Sequence, residues 1–286
     1  MRFENTSVMN FEGALRGMRA PMASWAKSDS EFGIYCEHED SISEAAYNVA
    51  NAWAEYELKD QVWETNATED DYNKEFDDIA DKRYSWLWQQ GAALIGTDHH
   101  YTLDLIGPKD MDLCRRLING GPEHRKFLRQ IFVSVDITAP LYWFKEFDTY
   151  RIGVTENSTS TMHKLASTPI TLDCFEMTDF EDVIIEGVEN ENEELSFVYT
   201  TGMFVEEIIE TLEQLRQKYN ETKDKRYWKE LIRWLPNGWL QTRTVTMNYE
   251  NLRSIAHQRM GHKLSEWRSF LEWMNTLPYA KELIFD

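Results

Sequence analysis

The densest run of chemistry-capable side chains lies between Pro140 and His163, in LYWFKEFDTYRIGVTENSTSTMHK. An aromatic and charged stretch, read as amphipathic, passes through one glycine into Asn157 to Met162, where Ser and Thr dominate. Hydroxyls and amides at this density must each find a partner if buried, so the run belongs at a surface. Two readings stand: a solvated turn, or a polar loop that grips a phosphate or a nucleobase. A second candidate is the pair Arg16 and Arg19, three apart and so on one face of a helix. Beside Trp25 and a Ser-rich loop, they read as ordinary surface charge or as an anion contact. Asp98-His99-His100 suggests a metal by residue type, but adjacent histidines do not share a helix face and no third ligand is placed. No metal site is expected.

The whole chain bounds what such groups can do. Its 286 residues are ample for a large core, and 42% hydrophobic with 13% aromatic content is that of a folded globular protein. A formal net charge of -20 excludes non-specific nucleic-acid binding, which needs a basic face. A few Arg inside an acidic shell still suffice for one small anion. Three widely spread cysteines, Cys36, Cys114 and Cys174, suit a reducing cytosol and supply neither a disulfide framework nor a zinc site. MRFENTSVMNFEG lacks the apolar core of a signal peptide, and no window approaches a membrane span. The expectation is a cytoplasmic protein with no membrane or nucleic-acid partner.

The elements that must position these residues follow from periodicity. A helix carrying Arg16 and Arg19 cannot continue past Pro21. From Ser41 to roughly Ile95 the spacing predicts an antiparallel helical hairpin. Ala46, Val49, Ala50, Trp53 and Tyr56 form its first apolar stripe, with Ser41 and Glu44 at capping-box spacing. The second helix is capped near Thr68 and ends at Gly96. GPKDMDLCRRLINGGPEHRKFLRQ predicts two short helices broken at Gly120-Gly121-Pro122, and IFVSVDI a strand. The acidic stretch after Thr168 offers one or two short strands. Helices are expected over 202–219 and from Lys223 to Trp234, ended by Leu235-Pro236-Asn237-Gly238. WLQTRTVTM alternates as a strand, and Asn248 and Ser265 open the last two helices. The reading is one α+β domain over 1–286, a mixed sheet flanked by helices, with a helical insertion at about 34–105.

In this order the chain resembles the flavin-dependent thymidylate synthases, through three blocks between about Gly107 and Trp273. The first is DLCRRLINGGPEHRKFLRQIFVSVDITAP, a helix, a Gly-Gly break, His124 and a strand; Arg129 stands where the family has Glu. The second is TYRIGVTENSTSTMH against the family's R-H-R-x-x-S-x-N-E-x-S-x-R-Y, with one residue inserted. Arg151 matches the second Arg, Asn157 the Asn and Ser160 the second Ser. Thr149, Tyr150, Ser158, Met162 and His163 replace the first Arg, the His, the Glu, the third Arg and the Tyr. The third block runs from Leu235-Pro236 through a strand to Asn248, then to Arg259 eleven residues on, then to Trp267.

The resemblance implies a flavin-dependent thymidylate synthase-like fold and the methylation of dUMP to dTMP, with methylenetetrahydrofolate as carbon donor, FAD as hydride carrier and NADPH as reductant. Such enzymes need no cysteine nucleophile, since the cofactors carry the chemistry. It further implies that Arg259 grips the nucleotide and that Ser160 hydrogen-bonds it, these two forming the catalytic pair. Arg233 is a further nucleotide contact. Arg151 is placed on FAD phosphate or ribose, Asn157 and Asn248 on the flavin side, and His124 and His257 on the flavin or folate edge. The partner is a pyrimidine deoxynucleotide, and the family's shared sites imply a homotetramer. Met162 in place of Arg and Ser158 in place of Glu keep two alternatives open. One is the same fold with a shifted pyrimidine substrate; the other is a binding or assembly protein without flavin chemistry.

Overall fold

The computed structural model describes residues 1–36, 44–61, 67–95, 100–189 and 195–286. The Ser41 cap and the Asp98-His99 pair lie outside the described residues. The fold is α+β. Nine strands are described, β1 (Arg2–Met9), β2 (Glu31–Cys36), β3 (Ala92–Ile95), β4 (His100–Leu105), β5 (Phe132–Pro140), β6 (Thr155–Ser158), β7 (Ile184–Glu189), β8 (Leu195–Thr200) and β9 (Leu240–Asn248). Helices α1 (Phe11–Arg19), α2 (Glu44–Leu58), α3 (Glu69–Gly91), α4 (Pro108–Asn119), α5 (Leu141–Phe147) and α6 (Thr161–Lys164) lead to α7 (Thr201–Thr222), α8 (Lys225–Arg233), α9 (Tyr249–Arg259) and α10 (Ser265–Met274). The strands form sheets ordered β1-β5-β9-β6, β2-β4-β3 and β7-β8.

Contacts divide the chain into two compact units. One comprises Met1–Asn5, Val135–Arg151 and Glu156–Val245. Its core gathers Leu165, Ile170, Phe175, Leu212 and Leu231, with Trp239 edge-on to Phe175 at 5.5 Å. Helix α5 buries Trp143, Phe144 and Phe147 and leaves its other face part-exposed, the amphipathic pattern read from the sequence. The Thr200 hydroxyl caps α7 by accepting from Met203 N, and Lys223 in the left-handed conformation (φ 55°) ends it. The acidic stretch does hold two strands, β7 and β8, paired antiparallel.

The other unit comprises Thr6–Ser134, Ile152–Thr155 and Thr246–Asp286. The helical hairpin is present: Tyr47 in α2 donates to Asp81 in α3 at 3.0 Å, while Gln61, past the end of α2, reaches back to Glu75 at 3.2 Å. Partners that run in opposite directions along the two helices make the pair antiparallel. Thr68 and Asp71 exchange hydrogen bonds at the start of α3 as expected. The helix ends at Gly91 rather than Gly96, because AALI pairs as β3 with β4, Ala92 opposite Leu103. A Cβ on Gly91 would lie 2.6 Å from the Asp104 carbonyl, so only glycine lets the helix turn into the strand there. Residues 31–105 therefore carry a small sheet, β2-β4-β3, as well as the hairpin. The second of the two short helices near His124 is a five-residue 3-10 turn, Lys126–Gln130.

Edge-on aromatic contacts run from Tyr249 to Phe11, Phe11 to Tyr279, Tyr279 to Trp86 and Trp86 to Trp53, each 5.6–5.7 Å between centroids. Their polar ends are satisfied: Tyr249 Oη donates to Pro278 O at 2.6 Å and Trp53 Nε1 to Ile106 O at 3.0 Å. Burial pushes both tyrosine hydroxyls above the usual range and keeps them protonated; Tyr279 Oη donates to Asp104 O at 2.9 Å and accepts from Ile106 N at 3.1 Å.

Candidate functional site

The three sequence blocks meet at the start of α9. Strand β9 delivers Asn248 as the helix N-cap: its Oδ1 accepts from Asn251 N at 3.0 Å, and Asn251 Oδ1 accepts from Asn248 N at 3.2 Å. This reciprocal box satisfies two donors that a helix start leaves orphaned. Asn251 Nδ2 also donates to Ile152 O at 2.6 Å, which fastens the second block to the third. Gly153 (φ 79°) packs so closely that a Cβ there would stand 3.0 Å from Asn248 Nδ2 and 3.1 Å from Asn251 Oδ1. The positive φ and the missing side chain are both required. The first block joins through backbone and charge. Tyr249 N donates to Ile131 O at 3.0 Å, and Arg125 Nε lies 3.1 and 2.9 Å from the two Glu250 oxygens.

Around that junction, charge is concentrated. Arg253, 7% exposed, donates Nη1 to Ile284 O at 3.1 Å, while its Nε is buried with no hydrogen-bond partner. Burial and the Arg253 and Arg125 charges hold the His257 imidazole below its ordinary pKa. Arg259 closes the helix on a different face, its guanidinium carbon 4.4 Å from the ring centroid of fully buried Trp267. His124 is exposed on the turn after α4, its ring against Gly120, where a Cβ would come within 3.2 Å.

In the other unit, Arg243 braces the second block from Asp148, just before it, and Glu156, within it. Its Nη1 donates to Asp148 Oδ1 at 2.6 Å and to Glu156 Oε2 at 2.9 Å, its Nε to Gln241 Oε1 at 2.9 Å, and its guanidinium lies 3.9 Å from the Phe144 ring centroid. Charge-assisted bonds of this kind fix a surface segment more firmly than neutral ones. Arg151 is exposed and spends only Nε, on Asp148 O at 2.9 Å. Asn157 is exposed in β6, and Ser160 caps α6 by accepting from His163 N at 3.3 Å. Met162, where the family has Arg, is 53% exposed. Arg233 ends α8 and pairs with Glu230.

The structure thus brings Asn248, His257 and Arg259 together on α9, with the first block anchored to the helix start, and sets Arg151, Asn157 and Ser160 along one short stretch. Sequence reading missed Arg125, Arg253 and Arg243. For Arg253 and Glu250 the signal was present, an opposite-charge pair at i,i+3 spacing; Arg243 read only as the polar step of an alternating strand. Arg19 is committed elsewhere, to buried Asp110 at 2.5 Å. Among the described residues no cluster of His, Cys, Asp and Glu is arranged to hold a metal, and no described helix is long and apolar enough to cross a membrane.

No protein-family model matches the sequence, and no curated protein matches it. Solved structures do resemble the fold over part of the chain. A Helicobacter pylori flavin-dependent thymidylate synthase ThyX complexed with FAD and dUMP is 18% identical over 62% of this chain and 83% of its own, at a TM-score of 0.43. A second structure of that protein with FAD and dUMP is 19% identical over 63% and 83%, at 0.43. A UMP/dUMP methylase, PolB from Streptomyces cacaoi, bound with 5-Br UMP, is 13% identical over 52% and 64%, at 0.37.

Proposed function

We propose that this chain is a flavin-dependent enzyme that methylates a uridine nucleotide, dUMP to dTMP, on a flavin-dependent thymidylate synthase-like fold. The observation that carries the reading is the meeting of the three sequence blocks at the start of α9. There Asn248, Asn251, Ile152, Gly153, Ile131, Arg125 and Glu250 interlock within one unit.

The donors left over fit anionic ligands. The Nη groups of Arg151 have no partner among the described residues, and Arg253 Nε is a buried donor without an acceptor. Asn248 spends its carbonyl on the cap and keeps its amide N–H groups for a flavin edge. FAD, when bound, supplies the hydride transfer to the transferred carbon, with methylenetetrahydrofolate as carbon donor and NADPH as reductant. The protein's own task is to hold and orient. Arg259, flattened on Trp267, would present its guanidinium edge to the nucleotide, and Arg151 would take FAD phosphate or ribose. Asn157, His124 and His257 would border the flavin, and Ser160 and Arg233 the nucleotide. Arg233 must first exchange Glu230 for the ligand.

Met162 and Ser158 favour a second reading, a shifted pyrimidine nucleotide on the same site. An exposed thioether cannot replace an Arg on a phosphate or carbonyl edge, so substrate choice must rest on the remaining arginines. The test of the site is Arg259→Ala. The expected result is a loss of about 1.5–3 kcal/mol in uridine-nucleotide affinity, the range for a hydrogen bond to a charged group. An unchanged titration in a folded variant removes Arg259 from the site. A homotetramer belongs to the same proposal and is read by light scattering.

A further inference from the structure

A cleft of about 370 Å³ lies between α1 and the segment that follows it, lined by Glu12, Leu15, Arg16, Arg19, Trp25, Ser28, Ser30 and Phe32. It belongs wholly to the unit of Thr6–Ser134 and uses none of the residues assigned above. Its walls are fixed before any ligand arrives. Arg19 Nε, Ser28 Oγ and Ser30 Oγ all donate to buried Asp110, at 2.5, 2.5 and 2.6 Å. Asp29 caps α4 from outside, accepting from Lys109 N at 2.9 Å and Asp110 N at 3.1 Å. Trp25 is held by its indole N–H on Arg16 O at 3.2 Å yet remains 49% exposed. Its ring is thus held in place with one face open to the cleft.

The charges of the lining sort themselves. Arg19 and Asp110 neutralise each other beneath the floor. Glu12 and Arg16 are one helical turn apart, both exposed, and neither has an ion-pair partner among the described residues. The remaining chemistry is one carboxylate and one guanidinium side by side, above an apolar patch of Leu15, Trp25 and Phe32. We propose that this cleft binds a small aromatic zwitterion, with the chemistry of a free aromatic α-amino acid. The ligand's carboxylate meets Arg16, its ammonium meets Glu12, and its ring lies against Trp25 and Phe32 over Leu15. The volume is at the small end of ligand sites, about 300–1,000 Å³, as such a ligand requires. A plain anion would meet Glu12, and a plain cation Arg16; the zwitterion satisfies both.

The test is calorimetric titration of the full chain with L-phenylalanine, phenylacetate and phenethylamine. Phenylalanine is expected to saturate with a Kd in the range of about 1 mM or below, and each half-charged analogue to bind at least about tenfold more weakly. Glu12→Gln is expected to erase the preference over phenylacetate, and Arg16→Gln the preference over phenethylamine. Both side chains are exposed, and circular dichroism confirms that the variants fold. Equal binding of the three probes, no saturation by phenylalanine, or preferences that survive both substitutions would each overturn the proposal. None of these readouts depends on flavin or nucleotide, so its failure leaves the proposed function untouched.

Discussion

The start of α9 and the stretch from Thr149 to His163 carry the same family resemblance but are built in opposite ways. At α9 the matching Asn248 is buried and exchanges hydrogen bonds with Asn251, which in turn is tied to Ile152. Along Thr149 to His163, Arg151 and Asn157 are exposed and Ser160 is half-buried, and a residue outside the motif, Arg243, holds Asp148 just before the stretch and Glu156 within it. The first region is fixed by backbone geometry that only Asn, Gly and a helix start can meet. The second is fixed from beside, so its own side chains are free to change.

The largest expected effect comes from removing the brace. Arg243→Met leaves Asp148 and Glu156 without their shared cation and removes the contact with Phe144. It is expected to cost about 2–3 kcal/mol. Hydrogen exchange should quicken in Thr155–Ser158 while Tyr249–Arg259 keeps its protection. Equal loosening of both regions would mean they are not independently held.

Acid should separate the two regions next. Downstream of the motif, Glu213 accepts from Arg216 at 2.6 Å and from Ile170 N at 2.9 Å. The Arg216 bonds chiefly, with help from the Ile170 and Gln217 N–H groups, outweigh burial and hold its carboxyl down to about 2. A depressed carboxylate stabilises the fold fully above its unfolded value near 4.5, and the contribution fades as pH falls through about 2. After solvent screening this is worth about 2 kcal/mol, lost on acidification or in Glu213→Gln. His257 acts with the same sign in a higher pH window. Its depressed pKa means the folded state resists the proton, so α9 loses stability as pH drops below the unfolded value of 6.5. Thermal denaturation of His257→Gln between pH 7 and 5 should lack that decline.

The smallest stability effect expected is Asn248→Ala. It removes one cap and should cost about 1 kcal/mol. Because the same residue faces Gly153, it should also loosen Ile152–Thr155, visible in backbone amide shifts. A change confined to the first turn of α9 would contradict the interlock.

Much of this was legible in the sequence because it is local. Asn248 and Thr68 announce helix starts, Pro21 and Leu235-Pro236 announce ends, and the α2 stripe followed by a second capped helix announces a hairpin. Strands β1, β2 and β4 were not legible. β1 is largely exposed, so its residues need not alternate cleanly between apolar and polar. AALI was read as helix because a short apolar run after a helix has no period of its own; only pairing with β4 decides it. The arginines divide in the same way. Arg259 is singled out by the resemblance alone, whereas Arg243 and Arg125 are defined by partners distant in the chain, Asp148 and Glu250.

The most direct measurement is the visible absorption spectrum of the purified protein as FAD and then dUMP are added. The account predicts a flavin band that sharpens on binding and shifts again when the nucleotide enters, placing both ligands in one pocket. A protein that takes up no flavin, or a flavin band indifferent to the nucleotide, would contradict it and favour a fold retained for binding or assembly.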